Sequence, residues 1–475
     1  MLRSCCLLLA ALTLLSACSV HQPQRVALPA ALPEHYLEQT AQQRATGAAP
    51  QRWWLSFHDP RLNRLMDELF AESLELEQAF ARLEQSRALL RSADSGRYPT
   101  LNLEAQRGRS SQPQFIGELN GATWQVAAAA AFEIDLWGRL AARSDAARKD
   151  LAAGFEDLKT LYLSLSAQLA DLYYLAVAQR ARIELTEQSV VSFADTVALV
   201  ESRYRQGLVP AIDVYQARQN LTAARAERHQ SEADLALAEH AIAVLIGRYP
   251  DRDSAGALQI LPTTMQAFPL GLPSELIAAR PDLSATLRRV EAADAGIAAA
   301  IAERFPRINL IGNYGRSHQE TSIGLIEGNF WNLLGQLSMP LIDAGRRKAE
   351  VVRSRAVLRE AVARYQQQVL QAFREVEDAL AENRQTELRI EQLAQTEVAT
   401  AATLRLSLDR YLSGLTDYLP VLTAQRAHFD TRNRLLSARQ QLISARIGLA
   451  RALGGNWMNE TIEQRLHIAK AKNHE

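Results

Sequence analysis

Apolar or small residues recur every seven positions from Phe155 through Tyr162, Leu169, Ala176, Ile183, Val190 and Val197 to Tyr204. A second series runs beside them at Leu158, Leu165, Leu172, Phe193 and Val200. This a/d spacing is that of a coiled coil. It is interrupted at Tyr204-Arg205-Gln206-Gly207-Leu208-Val209-Pro210. There Gly207 permits a left-handed turn, and Pro210 can open a helix without losing a hydrogen bond. The pattern predicts an antiparallel helical hairpin with its tip at about 205–210. Its long arm, residues 139–205, would span about 100 Å and its return arm, 211–246, about 54 Å.

The same punctuation returns 207 positions later, at Tyr411-Leu412-Ser413-Gly414-Leu415. At that offset Arg97, Pro99 and Asn102 match Arg304, Pro306 and Asn309, Gly138-Arg139 matches Gly345-Arg346, and Gly247 matches Gly454. Matches that fall on glycine and proline punctuation mark a duplication with pseudo-symmetry. The chain therefore divides into repeat 1 (61–247), a linker (248–273) and repeat 2 (274–454, tip about 412–418). A helical pattern opens each repeat; in repeat 1 it runs from Leu62 to about Gly96, with Asp59 as a candidate cap.

Between that helix and the hairpin the period changes from helical to two. Leu101-Asn102-Leu103-Glu104-Ala105-Gln106 alternates, and a second strand candidate runs from Trp124 to Leu136, with a polar loop at about 108–122. Repeat 2 repeats this with strands at Ile308–Tyr314 and Phe330–Leu341 around a loop at 319–329. Each pair, about 99–136 and 306–341, reads as a hairpin with a long connection. Strands of about ten residues can cross a bilayer, or form a half-buried soluble sheet. Four strands cannot close a barrel, and an open edge in lipid leaves backbone groups unpaired. In a membrane several chains must therefore share one barrel. Two copies give a side-chain-filled barrel of eight strands, whereas three give twelve and a lumen.

The N-terminus changes the balance. Arg3 and the apolar run Leu7–Leu15 form an export signal over residues 1–17, followed by Leu15-Ser16-Ala17-Cys18. This sequence resembles the bacterial lipobox, whose cysteine is acylated; the alternative is an ordinary signal with an incidental Cys18. Removal of the signal takes Cys5 and Cys6 with it, so no intrachain disulfide can form. Residues 18–60 read as an extended arm and 455–475 as a tail. Lys+Arg and Asp+Glu both number 53, which argues against a nucleic-acid partner. Aromatics at 6% and abundant Ala, Leu, Glu, Gln and Arg suit long helices.

Catalytic chemistry finds no constellation in the sequence. The nine histidines are scattered, and His229 and His240 are too far apart on one helix for a metal pair. There is no Walker loop, nucleophile elbow or cysteine pair in the mature chain. The chain reads as a non-enzyme with no metal or cofactor.

The chain resembles the TolC-like outer membrane factor family, and within it the lipidated OprM/NodT-type efflux branch. The carriers are Cys18, Trp53-Trp54 with Phe57 and Asp59-Pro60, Ile134-Asp135-Leu136-Trp137-Gly138, Arg280-Pro281-Asp282-Leu283, Pro340-Leu341-Ile342-Asp343-Ala344-Gly345-Arg346, and the two Gly-Leu tips. The resemblance implies a mainly α chain with a transmembrane β-barrel part. Its duplicated coiled-coil hairpins would build an α-barrel, and its four strands would enter a 12-stranded barrel shared by a homotrimer. It implies a lipid anchor at Cys18, outer-membrane lipid around the barrel and an extension into the periplasm. A periplasmic adaptor would dock at Gly207, Leu208, Val209, Gly414 and Leu415, and an inner-membrane pump would drive export. Arg410, Tyr411 and Leu419, with Asp417 nearby, would form a periplasmic gate. The family's Leu-Asp-Ala-Gln-Arg segment reads Leu422-Thr423-Ala424-Gln425-Arg426 here, so an acidic ring must come from Asp417 or Asp213 or be absent. Three functions remain open at this point: an efflux duct for small toxic solutes, an exit channel for secreted polypeptides, and a non-conducting coiled-coil scaffold.

Overall fold

The computed structural model describes residues 21–22, 33–38, 52–114, 117–252, 256–258, 260–262, 270, 272–321 and 324–472. The export segment 1–17 and Cys18 lie outside them. After a 3-10 turn, Trp53–Phe57, the first repeat contains α1 (Pro60–Glu72), α2 (Leu74–Ser95), β1 (Thr100–Gln114), β2 (Gly117–Ile134), α3 (Arg139–Arg205) and α4 (Ala211–Leu245). The second contains α5 (Pro273–Ala279), α6 (Pro281–Ala302), β3 (Arg307–Thr321), β4 (Gly324–Ser338), α7 (Arg346–Leu412) and α8 (Leu419–Leu453); α9 (Met458–Lys472) follows. Both ends of α2, β1 and α3 recur 207 positions later in α6, β3 and α7.

Two compact units result, and the long helices contribute residues to both. One gathers residues 81–156 and 284–368 around a single antiparallel sheet of order β1-β2-β3-β4. The register sorts its side chains cleanly, because paired residues share a face. One face carries the rows Leu101–Ala130–Gly312–Leu333 and Leu103–Ala128–Tyr314–Trp331. The other carries Asn102–Ala129–Asn313–Asn332 and Gln106–Gln125–Ser317–Gly328. Polar side chains bond across strands on that second face, Gln106 Nε2 to Gln125 Oε1 at 3.1 Å and Asn313 Nδ2 to Asn332 Oδ1 at 3.0 Å. Leu103, Trp331, Leu333 and Leu337 stand exposed on the first face. That pattern suits hydrocarbon outside and water inside.

The predicted loops at 108–122 and 319–329 are corrected. The strands run through them, and the connections shrink to residues 115–116 and 322–323. Alternation fades there because both faces turn polar, but the ladder still pairs the backbone groups that face a neighbouring strand. Below the sheet, Trp137 stacks on Phe305 at 4.8 Å and donates to Pro306 O at 2.8 Å. Arg139 forks onto Glu133, with Nη2 2.6 Å from Oε2.

The other unit holds residues 30–80, 157–283 and 369–475. Asp59 caps α1 as expected, accepting from the amides of Arg61 and Leu62 at 2.9 and 3.2 Å, and its second oxygen takes the Tyr173 hydroxyl at 2.8 Å. The Trp53-Trp54-Phe57 motif is core: Trp54 meets Trp457 edge-on at 4.7 Å, and Phe57 stacks on Tyr174 at 5.1 Å. The tail predicted at 455–475 is therefore a docked helix for most of its length. One window of α3 reaches a mean hydropathy of 1.2, but 67% of it is buried, as befits bundle core.

The opening helix of repeat 1, predicted as continuous over 62–96, breaks at Ser73, whose ψ is 124°. Repeat 2 breaks at the equivalent Arg280, ψ 116°. There Pro281 pushes the preceding residue out of the helical region. At both breaks a left-handed glycine closes the return helix against the exposed carbonyl. A Cβ on Gly247 would lie 2.5 Å from Glu72 O, and one on Gly454 2.5 Å from Ala279 O. Gly247→Ala and Gly454→Ala are expected to cost at least the ~1–2 kcal/mol of a left-handed alanine, with the clash added. Thermal unfolding of the purified protein reads this, and wild-type melting would contradict it.

Candidate functional site: the hairpin tips

The two tips are built alike. At the end of α3, the Leu208 amide bonds Arg203 O at 3.0 Å and the Gly207 amide bonds Tyr204 O at 2.9 Å. At the end of α7, Leu415 bonds Arg410 O at 2.9 Å and Gly414 bonds Tyr411 O at 3.1 Å. This paired closure requires a left-handed residue, supplied by Gly207 at φ 72° and Gly414 at φ 73°. A Cβ at either glycine would meet nothing within 4 Å, so the requirement is backbone conformation and not space. The turns leave Leu208 59% and Leu415 70% exposed, while Val209 packs inward.

Under the turns the two hairpins share one core. Val200, Val214, Ala217, Tyr411, Tyr418, Val421 and Leu422 are buried together. The Tyr411 and Tyr418 rings lie 5.9 Å apart. The cation over the Tyr411 ring is Arg203, at 4.6 Å, and its Nη1 also donates to Tyr411 O at 2.8 Å. Arg410, sequence neighbour of Tyr411, is exposed, as are Asp417 and Leu419. Burial pushes the Tyr418 phenol up to about 12 and raises that of Tyr411. The Tyr411 phenol oxygen has no hydrogen-bond partner among the described residues.

The segment Leu422–Arg426 runs on from this core. Thr423 is exposed and its hydroxyl bonds Leu419 O at 2.9 Å. Gln425 is buried and clamps α8 to α3, donating to Ser192 Oγ at 2.8 Å and Thr196 Oγ1 at 3.2 Å. Arg426 reaches Asn220 Oδ1 through Nε at 2.8 Å and again through Nη2. These polar staples between hairpins escaped the sequence reading, since spacing alone cannot show which helices pair. Asp213 and Asp417 do come near one another. Burial, then the charge of Asp417, raises the Asp213 carboxyl above its ordinary value. The folded tip thus binds a proton more tightly than the unfolded chain, and this contribution fades as pH rises through the folded value. Asp213→Asn should raise the melting temperature at neutral pH and lose the advantage in acid. An equal shift at both pH values would contradict the pairing.

A sheet with a hydrocarbon-compatible face, two open edges and duplicated long hairpins defines a shared-barrel outer-membrane channel. The sequence profile described as outer membrane efflux protein matches residues 65–248 and again 272–455. The chain belongs to the outer membrane efflux protein family. It is 34% identical over 464 residues to the outer membrane protein OprJ of Pseudomonas aeruginosa, covering 95% of each chain. It is 31% identical over 409 residues to the toluene efflux pump outer membrane protein TtgI of Pseudomonas putida, covering 84% of this chain and 86% of that one. The solved outer-membrane channel OprN superposes with a TM-score of 0.84 at 27% identity, covering 92% of this chain and 99% of that chain. The protein is an outer-membrane component of an efflux system, and channels of its kind are trimers within tripartite pumps.

Proposed function

We propose that this protein is the passive exit duct of a tripartite pump for small toxic solutes. A periplasmic adaptor docks on its tips, and an inner-membrane pump supplies the energy. The observation that carries this reading is the contrast at the tips. The hairpin ends seal an apolar core around Tyr411 and Tyr418, yet leave Leu208 and Leu415 in solvent. Each of the two equivalent turns thus offers an exposed leucine to a partner. Gly207, Val209 and Gly414 shape the turns that present them. The names of the relatives support the solute class: one is the outer membrane protein of a toluene efflux pump, and another is a cation efflux system protein, CusC of Escherichia coli. Cys18 carries acyl chains that hold the N-terminus in the membrane, a supplement to the barrel's own hold.

The gate reading keeps Arg410, Tyr411, Asp417 and Leu419 at the tip, with Asp213 beside Asp417 as the acidic element. Exposed Arg410 and Leu419 are free to meet a neighbouring copy, whereas Tyr411 acts from inside the core by fixing the turn that presents Arg410. Single-channel conductance of the purified trimer in planar bilayers tests this. Arg410→Ala should conduct more than wild type. Tyr411→Phe should match wild type, since its hydroxyl is unpartnered. Tyr411→Ala should lose several kcal/mol of tip packing, about the 3–5 kcal/mol of aromatic deletions, and leak. Unchanged conductance in Arg410→Ala would move the gate elsewhere.

A further inference from the structure

The lipid-facing side of the sheet ends in charge. The row Ile134–Ile308–Leu337 begins the apolar face near the helices, and ten residues further along β3 stands the row Arg107–Trp124–His318–Glu327. Ten residues of strand rise about 33 Å, or about 25 Å along the membrane normal at a barrel's usual tilt of about 40°, which is the height of an apolar band. All helices join the strands at the opposite end, so this row marks the outer edge of the bilayer. One row inside it stands Arg316, and one row outside stands Arg109, paired through Ala122 with Glu320.

The charges on this face are unevenly matched. Glu327 is taken twice, by Arg316 Nη2 and by His318 Nδ1 at 3.3 Å. His318 in turn stacks on Trp124 at 5.6 Å with 16° between the rings. Of the other carboxylates on this face, Glu320 lies two strands from Arg109, and Glu118 falls in the Pro113 row, two rows further out. Arg107 and Arg109 are exposed and form no ion pair among the described residues. An adjoining copy cannot readily neutralise them either. The only carboxylate that β4 presents on this face is Glu327, already held by its own strand neighbours. Two unpaired guanidinium groups on alternate residues, directly above hydrocarbon, face whatever head group the outer leaflet carries. Guanidinium forks match phosphate oxygens in geometry and charge.

We propose that Arg107 and Arg109 form a docking site for the phosphate groups of the phosphorylated glycolipid of the outer leaflet. Trp124 is the flat wall beside the sugar and Leu103 the floor under the acyl chains. The site rests on the outer-membrane placement of the sheet and not on what the channel exports, so it stands or falls separately from the efflux reading.

Delipidated trimer would be titrated by thermal shift with bisphosphorylated lipid A, dephosphorylated lipid A, phosphatidylglycerol and inorganic phosphate. Bisphosphorylated lipid A should raise the wild-type melting temperature. The double variant Arg107→Gln/Arg109→Gln should bind it about tenfold or more weakly, as expected for lost charge-assisted bonds. Arg107→Lys/Arg109→Lys should retain part of the affinity. Equal binding by wild type and the glutamine variant overturns the proposal. So does equal binding of lipid A with and without phosphate, a comparison that needs only wild-type protein if the variant does not assemble. A shift of the same size with phosphatidylglycerol or inorganic phosphate also overturns it, marking a general anion surface.

Discussion

Arg280→Ala will cost about 3–5 kcal/mol, the expectation for removing one member of a buried charge cluster, and will leave little assembled trimer in the membrane. The Arg280 side chain is 8% exposed. It forks onto Asp282 with contacts of 3.0 and 2.8 Å, reaches Glu375 at 2.8 Å and donates to Ala452 O at 3.1 Å. One side chain thus ties the helix break at Pro281 to α7 and to the end of α8, beside the Gly454 contact. Alanine takes the guanidinium away from both carboxylates and a donor away from the Ala452 carbonyl. Arg280→Lys keeps the charge but not the fork, and should fall between. Denaturant unfolding of the purified variants reads the loss. Wild-type stability in Arg280→Ala would mean that water already screens the cluster.

Leu208→Asp combined with Leu415→Asp should abolish export while the trimer assembles normally. Neither leucine packs into the tip core, so folding loses little, whereas an apolar docking patch gains two charges that would be desolvated on contact. Drug susceptibility should shift to that of a strain lacking the gene, at least tenfold on the scale of ~1.4 kcal/mol per decade. The trimer band on native gels should be unchanged. Normal export by the double variant would remove the tips from adaptor docking. Leu185→Ala, in the separate cluster with Phe193 and Phe429, controls for general loosening of the hairpins, since it weakens packing without touching the tips.

The architecture was legible because duplication and periodicity are properties of the chain itself. The heptads gave α3, and the glycine punctuation gave both tips, with Gly207 and Gly414 at the positive φ their turns demand. The strands were legible only where one face is apolar. Beyond Arg107 the alternation ends, and hydrogen bonding alone carries β1 and β2 to their turn. The break at Ser73 has no local signal, but Pro281 marks its equivalent 207 positions later, and the repeat would have transferred it. Tip chemistry was legible in part. The sequence placed Tyr411 beside Arg410, whereas folding sets Arg203, from the other hairpin, over its ring. Gln425 and Arg426, given no role from the sequence, are staples between helices. Which helix faces which is decided by packing of the whole bundle, and no single heptad contains it.

If the chain is an export duct for small solutes, cells lacking the gene will show it. Their susceptibility to antibiotics, dyes, organic solvents and metal cations would be measured beside their secreted proteins, with the wild-type gene restored as control. Hypersensitivity to some of these solutes is expected, reversed by the restored gene, with the secreted proteins unchanged. Unaltered susceptibility together with the loss of a secreted polypeptide would contradict it.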